Sequence, residues 1–536
     1  MNSLTFPSSN AQTALECLRS LGDGPELETA LQACVPGIAA ALDRTRRPER
    51  VLALFKRLAE RLDEPAMLLH RLAEFPQLGH VLVVLFAGSH FLSEILLRHP
   101  EYLLRLHDLG DLGQALTPEA LMERVEAALE PWETIEGRLD ALRRCQRWHM
   151  LRIGVCDLLG LLDLPTVTGQ LSLLADTMIR ICLSLAEQQT GDKRGHLVVI
   201  ALGKLGGGEL NYSSDIDLLL VAREEPQSYV RLGAALIDGL SRITGEGFLY
   251  RVDMRLRPWG RVGPLVSSYE GFLRYLAREA RLWEKQALLK ARPVAGDVHL
   301  GRELLEAAMP LMLNVQPDFV RRDVLAMKRR IERAVQGRAA VEDARGADVK
   351  RGVGSIRDVE FVTQYLQLLH GRENPQVLNS NTLRALEALA KRGLLAERDA
   401  RILIDGYTFL RPVEHFLQII HYRQTHALPE RPEELEALAR RLGFGASGRA
   451  GAELLERYRQ HSAAIRSVYR RIIEKGPQGM QANSSPPTAD VERHVSRMAP
   501  SYLEAFTSEE VRLHADLVGR LSQDVLVQVE GQPLGD

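Results

Sequence analysis

The stretch that decides the fold is GKLGGGELNYSSDIDLLLV, from Gly203 to Val221. A short β-branched run, His196 to Leu202, leads into it, and a second apolar run, Ser213 to Val221, closes it, so it reads as two strands around a Gly-rich turn. Strand side chains alternate between faces, which sets Asp215 and Asp217 on one side and turns Ile216 and Leu218 into the core. Two carboxylates so close repel each other unless a divalent cation sits between or beside them, and hard oxygen ligands suit Mg²⁺ or Mn²⁺. Gly203, Gly206, Gly207 and Gly208 allow a tight turn whose backbone N–H groups can approach phosphate oxygens, and Lys204 adds a point charge. The fixed order of a Walker A loop is absent, as is the GxGxxG of a dinucleotide-binding turn.

A lone DxD more often marks a solvated turn or a helix start, so its surroundings decide. A third strand is expected at Phe248 to Leu256. Within RVDMRLRP, Arg251 to Pro258, alternation puts Arg251, Asp253, Arg255 and Arg257 on one face and Val252, Met254 and Leu256 on the other. Carboxylates beside arginines suit in-line displacement at phosphorus, where metals hold attacking and leaving oxygens and Arg neutralises phosphate. Arg255 and Arg257 are the expected phosphate holders. Ser213 and Ser214 either cap the turn or touch phosphate.

Outward from this centre the texture is helical. Aliphatic residues three and four apart run from about residue 11 to 190, and the same texture returns from about 300 to 475. The expected class is therefore α+β, with a sheet domain over 191–300 embedded between a helical domain over 1–190 and a helical bundle over 301–475. Residues 476–492, rich in Gly, Pro, Ser, Asn and Gln, read as a linker. Residues 493–536 carry one helix, capped by Thr507 with Glu510 three positions on, and one β-like run, too little to close a core. The expectation is that the chain is the front part of a longer protein or that this tail docks elsewhere.

Composition bounds the function. Lys plus Arg number 68 and Asp plus Glu 70, a net charge of −2, so the basic excess of a nonspecific nucleic-acid binder is missing. At 45% hydrophobic and 26% charged residues the chain is an ordinary globular one. Val81 to Gly88, the longest nearly uncharged apolar run, falls far short of the ~20 residues of a membrane span, and a cytoplasmic protein is expected. Cys17, Cys34, Cys145, Cys156 and Cys182 show no CxxC spacing, which argues for reduced core thiols rather than zinc or disulfides.

The Gly203–Val221 motif, followed by GFLYRVDMRLRPWGRVGPLVSSYEGFLRYL, resembles the glutamine synthetase adenylyltransferase and adenylyl-removing enzyme family, within the DNA polymerase β-like nucleotidyltransferase superfamily. The likeness continues through Arg281–Asp297, Val349–Gly371 and Leu410–Pro429, with weaker traces at HPEYLLRL and LRRCQRWHMLRIG. It implies that Asp215 and Asp217 hold metal, that Asp253 is the third carboxylate, and that Gly203 and Lys204 stand where the superfamily has a Gly-Ser pair. Two Mg²⁺ ions are implied, with Mn²⁺ as the substitute. Family members carry two such domains, one attaching AMP from ATP to a tyrosine of glutamine synthetase and one removing it by phosphorolysis to ADP. The single motif, its position after a long helical stretch and its wording resemble the front, adenylyl-removing half. The resemblance further implies a PII-type signal protein and glutamine as regulatory inputs, and it likens residues 493–536 to the opening of an ACT-like module.

Alternatives are the forward transferase, a protein uridylyltransferase sharing DxD but expected to lack the RVDMRLRP and IRDVEF blocks, a noncatalytic scaffold, and an RNA-modifying enzyme. The last is disfavoured by 5% aromatic content and no basic excess. In the later helices, Arg357, Glu360, Gln364 and Gln367 form a polar stripe expected to be solvated, with Lys350, Arg351 and Arg357 within reach of a phosphate or a partner. Glu414, Gln418 and His421 line up without a zinc spacing, and LAMKRRIERAV is expected to be a solvated helix. Trp283 and Glu284, with Lys290 and Arg292, are expected in a helix packing the sheet, the alternative being a place beside the adenylyl site.

Overall fold

The computed structural model describes residues 9–21, 25–45, 47–192, 195–336, 344–421, 425–445 and 449–476. The linker beyond Gly476 and the incomplete module expected over 493–536 lie outside the described residues. The fold is α+β. Every strand of the sheet falls between Leu197 and Gly296, and helices fill the described stretches before and after.

The sheet contains β1 (Leu197–Ala201), β2 (Ile216–Ala222), β3 (Val252–Asp253), β4 (Val266–Ser268) and β5 (Arg292–Gly296). Its order is β3-β2-β1-β5, with β4 also pairing β2. β1 runs antiparallel to β2 and β5, whereas β3 and β4 run parallel to β2. Both faces are covered, as the near-continuous burial of β1 and β2 requires. Gly301 of the Val298–Met312 helix lies against Val198, and Gly233 of the Val230–Ser241 helix lies against Leu220, which pairs with Val199. Since Val198 and Val199 alternate, the two helices take opposite faces. Ile216, Leu218 and Leu220 join the core shared with the front helices, so Asp217 and its neighbour Asp215 are left on the other side.

The third strand is shorter than its alternation suggests. Leu249 and Tyr250 give their N–H groups to the Leu240 carbonyl at a helix end, not to the sheet. After Asp253 the chain turns, because the Asp253 carboxylate accepts the Arg255 N–H at 2.8 Å in place of a ladder bond. Only Val252 and Asp253 remain to pair.

The front helices set this segment. From the Ile135–Leu158 helix, Arg143 donates to the carbonyls of Gly239 and Arg242, Gln146 to that of Leu249 and Arg147 to that of Phe248. The Leu164–Thr190 helix starts on Asp163, whose side chain accepts from the Thr166 N–H, and stops at Gly191, with φ +71°. It is the one described helix long and apolar enough to cross a membrane, and 78% of that window is buried inside the protein. Its Asp176 grips Arg292 of β5 at 2.7 and 3.1 Å. The five cysteines are all free; Cys34, Cys156 and Cys182 are buried.

Candidate active site

β2 and β3 pair with Ile216 opposite Val252 and Asp217 opposite Asp253. In-register residues of neighbouring strands point to the same face, so the two carboxylates stand side by side, with Asp215 two residues before Asp217 on that face. Burial, then the charges of Asp253 and Asp215, push the Asp217 carboxyl up to about 8. Each of the other two carboxylates has an arginine. Arg251 Nε meets Asp215 Oδ1 at 2.5 Å, and its Nη2 meets the Ser213 carbonyl. Arg255 places Nε and Nη2 on Asp253. Drawn apart by these partners, the three do not form a closed metal cage; among the described residues no group of three Asp, Glu, His or Cys does. The donor set nonetheless suits a hard cation, since three carboxylates share one face and the charges of Asp253 and Asp215 add to burial in raising the Asp217 carboxyl.

The Gly-rich turn is a single helical turn, Gly203–Gly206. Gly203, at φ +56°, lies so close to Asp217 that a Cβ there would come within 2.4 Å of Oδ2. Gly206 passes under the Lys290 carbonyl, 1.8 Å from where its Cβ would be. The expectation that the glycine N–H groups cradle phosphate needs correction. Those of Gly206, Gly207 and Gly208 bond the carbonyls of Leu202, Gly203 and Leu205, which closes the turn on itself.

The phosphate-binding candidates separate. Lys204 reaches Glu414 Oε1 at 2.7 Å. Arg257 donates to the carbonyls of Met254, Arg261 and Gly263, so it braces its own loop rather than facing the carboxylates. Ser213 donates to Gln418 Oε1 at 3.2 Å inside the protein, and Ser214 Oγ accepts the Asn211 N–H at 3.3 Å within the turn. Ser214 shapes the turn, and Ser213 ties it to the Glu397–His421 helix.

The side chain that sequence reasoning undervalued is Glu414, fully buried in the Glu397–His421 helix. Burial alone would raise its pKa, but Lys204, Arg411 and Lys350 hold it well below the usual carboxylate range. Arg411 takes its Oε2 at 2.5 Å, Asn211 the same oxygen at 3.2 Å, and Lys350 stands 3.8 Å from Oε1. His426, pushed far below its ordinary value by burial and then by Lys350, stands 3.4 Å from Oε1. The polar stripe expected to be solvated is instead largely covered. Glu360 lies 3.7 Å from Lys290, which also reaches Glu209 at 2.9 Å, while Gln367 donates to the carbonyls of Val377 and Asn379. Lys328 of LAMKRRIERAV is likewise buried, 2.7 Å from Asp358. Periodicity located these polar faces, but not the charged partners from distant segments that cover them. Glu284 is buried under Tyr275, in a helix of the sheet region as expected.

A narrow crevice is lined by Leu202, Leu256, Pro258, Phe272, Tyr275 and Glu284, among others. It joins the residue before the Gly-rich turn to the loop after Asp253.

Comparison with known proteins matches residues 79–307 to the model of glutamate-ammonia ligase adenylyltransferase and residues 325–473 to that of GlnD PII-uridylyltransferase. A bifunctional glutamine synthetase adenylyltransferase/adenylyl-removing enzyme of Streptomyces avermitilis is 35% identical over 456 residues, 82% of this chain and 44% of that protein. Proteins of the same description from Xanthomonas campestris and Thioalkalivibrio sulfidiphilus are 36% and 37% identical, over 73% and 68% of this chain and 42% and 39% of their own lengths. The chain thus spans less than half the length of these relatives. The second match corrects one expectation: the IRDVEF block lies inside a uridylyltransferase match, so it does not separate the chain from that class.

Proposed function

From the membership of residues 79–307 in the glutamate-ammonia ligase adenylyltransferase family, we infer that this chain is a nucleotidyltransferase acting on glutamine synthetase. The observation that carries the reading is the in-register pair Asp217 and Asp253, with Asp215 on the same face and Gly203 pressed against Asp217. Asp215, Asp217 and Asp253 would hold Mg²⁺, or Mn²⁺ in its place. When bound, the ion supplies charge neutralisation for the reacting phosphoryl oxygens.

The direction we propose is removal of AMP from an adenylylated tyrosine, with inorganic phosphate as the incoming group and ADP as product. Its support is the wording GGGELNYSSDIDL and the long helical stretch before it. Arg251 and Arg255 keep two carboxylates oriented, and Arg257 holds the loop that follows. A PII-type protein and glutamine are the proposed inputs and the cytoplasm the proposed location. The forward transferase, with ATP as donor, needs the same carboxylates. A uridylyltransferase acting on a PII-type protein is the second alternative, kept because residues 325–473 match that class.

Intact-mass analysis tests all three. The chain is incubated with Mg²⁺ and adenylylated synthetase plus phosphate, unmodified synthetase plus ATP, or a PII-type protein plus UTP. Loss of the adenylyl mass with ADP appearing is the expected result. Gain of that mass from ATP would reverse the direction, and uridylylation would replace the substrate.

A further inference from the structure

Resting on the nucleotidyl-transfer reading of the Asp215, Asp217 and Asp253 site, the structure assigns Lys204 and Lys350 to a phosphate-class oxyanion site, with Glu414 as the residue that positions both. Lys204 and Lys350 converge on one oxygen of Glu414, at 2.7 and 3.8 Å, while Arg411 occupies the other at 2.5 Å. Lys204, Lys350 and Arg411 share this carboxylate, Glu360 acts on the same three groups, and burial weakens the hold of both lysines on their protons. An anion arriving between Lys204 and Lys350 would meet two converging amino groups in a low-dielectric setting, where a charge-assisted hydrogen bond counts most and where the anion itself favours their charged form. The site is reachable: Glu414 is fully covered, but the side chains of Lys204 and Lys350 keep 13% and 17% of their surface in contact with solvent.

Its position fits the chemistry. Lys204 follows Gly203, where a Cβ would come within 2.4 Å of the Asp217 carboxylate. The site is also built rather than incidental. Val349 and Leu428 donate to the carbonyls of His426 and Ala347, pairing the Lys350 segment with residues 426–428. Asp348 accepts the Lys350 and Arg351 N–H groups at 3.0 and 2.7 Å, and Ser355 Oγ holds the Lys350 carbonyl at 2.8 Å. Below it, buried Lys328 ties the Gly352 carbonyl at 2.6 Å to Asp358 at 2.7 Å. The arginines expected to grip phosphate are engaged elsewhere, Arg255 on Asp253 and Arg257 on its own loop. Lys204 and Glu414 lie 210 residues apart, so the oxyanion site is assembled from the sheet and the later helices and is complete in neither.

In the proposed direction, a phosphate oxygen held by Lys204 and Lys350 attacks the adenylyl phosphorus. The bond from phosphorus to the tyrosine oxygen breaks, the phenolate leaves and takes up a proton, and the ADP formed keeps its β-phosphate at the lysines. With ATP as donor, the same lysines would take the β- and γ-phosphates, and pyrophosphate would leave.

Lysine acetylation footprinting of the full chain, read by mass spectrometry, tests the assignment independently of turnover. Inorganic phosphate is expected to protect Lys204 and Lys350 but not Lys391, which is exposed on a surface helix. Lys350→Met should weaken protection of Lys204 by about 10- to 100-fold, the loss of one charge-assisted hydrogen bond, and Lys350→Arg should retain most of it. In steady state, Lys350→Met should raise KM for phosphate by a similar factor and leave KM for adenylylated synthetase unchanged, with Lys391→Met as control. Protection by ATP or pyrophosphate but not by phosphate keeps the oxyanion site and overturns the phosphorolytic direction. Absence of protection by any of the three in the folded wild-type chain overturns the assignment, even if the enzyme turns over. Because the footprint is read on wild-type protein, a variant that fails to fold does not decide the outcome.

Discussion

Asp217 and Asp253 stand side by side across the parallel β2–β3 pair, with Arg251 on Asp215 and Arg255 on Asp253. Three carboxylates on one face of a sheet are costly for the fold and useful for chemistry, because their mutual repulsion favours a cation at the site where phosphoryl oxygens must react.

Asn at position 215, 217 or 253 should therefore separate function from stability. Each of Asp215→Asn, Asp217→Asn and Asp253→Asn is expected to lower turnover by at least about 100-fold, the scale of losing a group that stabilises charge in a transition state. Asp217→Asn should also melt at or above the wild-type temperature in chelator. An Asp whose folded pKa is raised to about 8 weakens the fold progressively as pH climbs from its ordinary range toward that value, and the amide removes this penalty. Retained turnover in Asp215→Asn and Asp217→Asn would sink the metal assignment.

The two ends of the Gly-rich turn should respond differently to alanine. At Gly206 a Cβ would fall 1.8 Å from the Lys290 carbonyl oxygen and 2.8 Å from that of Ala201, two backbone atoms that cannot rotate away. Gly206→Ala is expected to cost about 3 kcal/mol or more. Gly208, at φ +68° with open space around it, should cost only the about 1–2 kcal/mol of left-handed backbone. Urea denaturation of the two variants checks the ranking; equal midpoints would contradict the packing of the turn.

Glu414→Gln leaves Lys204, Arg411 and Lys350 around a neutral buried amide. Loss of one partner from a buried ion group costs about 3–5 kcal/mol. Adding Lys204→Met should restore part of the loss, with a coupling of about 1 kcal/mol or more in a double-mutant cycle. Additive effects would mean that the 2.7 Å contact does not link the sheet to the Glu397–His421 helix energetically.

His149 gives a pH signature. Burial first, then Arg152 and Arg105, push its imidazole down to about 3. Between that value and about 6.5 the unfolded chain binds the proton and the folded one does not. The stability it contributes is complete above about pH 6.5 and is lost as pH falls toward 3. Urea midpoints from pH 7 to 4.5 should fall more steeply for wild type than for His149→Gln, by up to about 1.4 kcal/mol per pH unit. Matching slopes would show that another group controls acid stability.

Local pattern alone determined the α+β class, β1 and β2 around a glycine turn, and the shared face of Asp215 and Asp217, because strand alternation and glycine chemistry act over a few residues. The in-register Asp253 was legible as an alternating residue, although its strand ended early once the Asp253 carboxylate captured the Arg255 N–H. Only the tertiary structure decided the rest. It committed Arg257 to its own loop, closed the glycine N–H groups within the turn and covered the stripe around Glu360. It also brought Glu414 and Lys350 to Lys204. A charged side chain's role depends on which opposite charge meets it and how much water remains, and those partners come from segments hundreds of residues apart, beyond the reach of any local period.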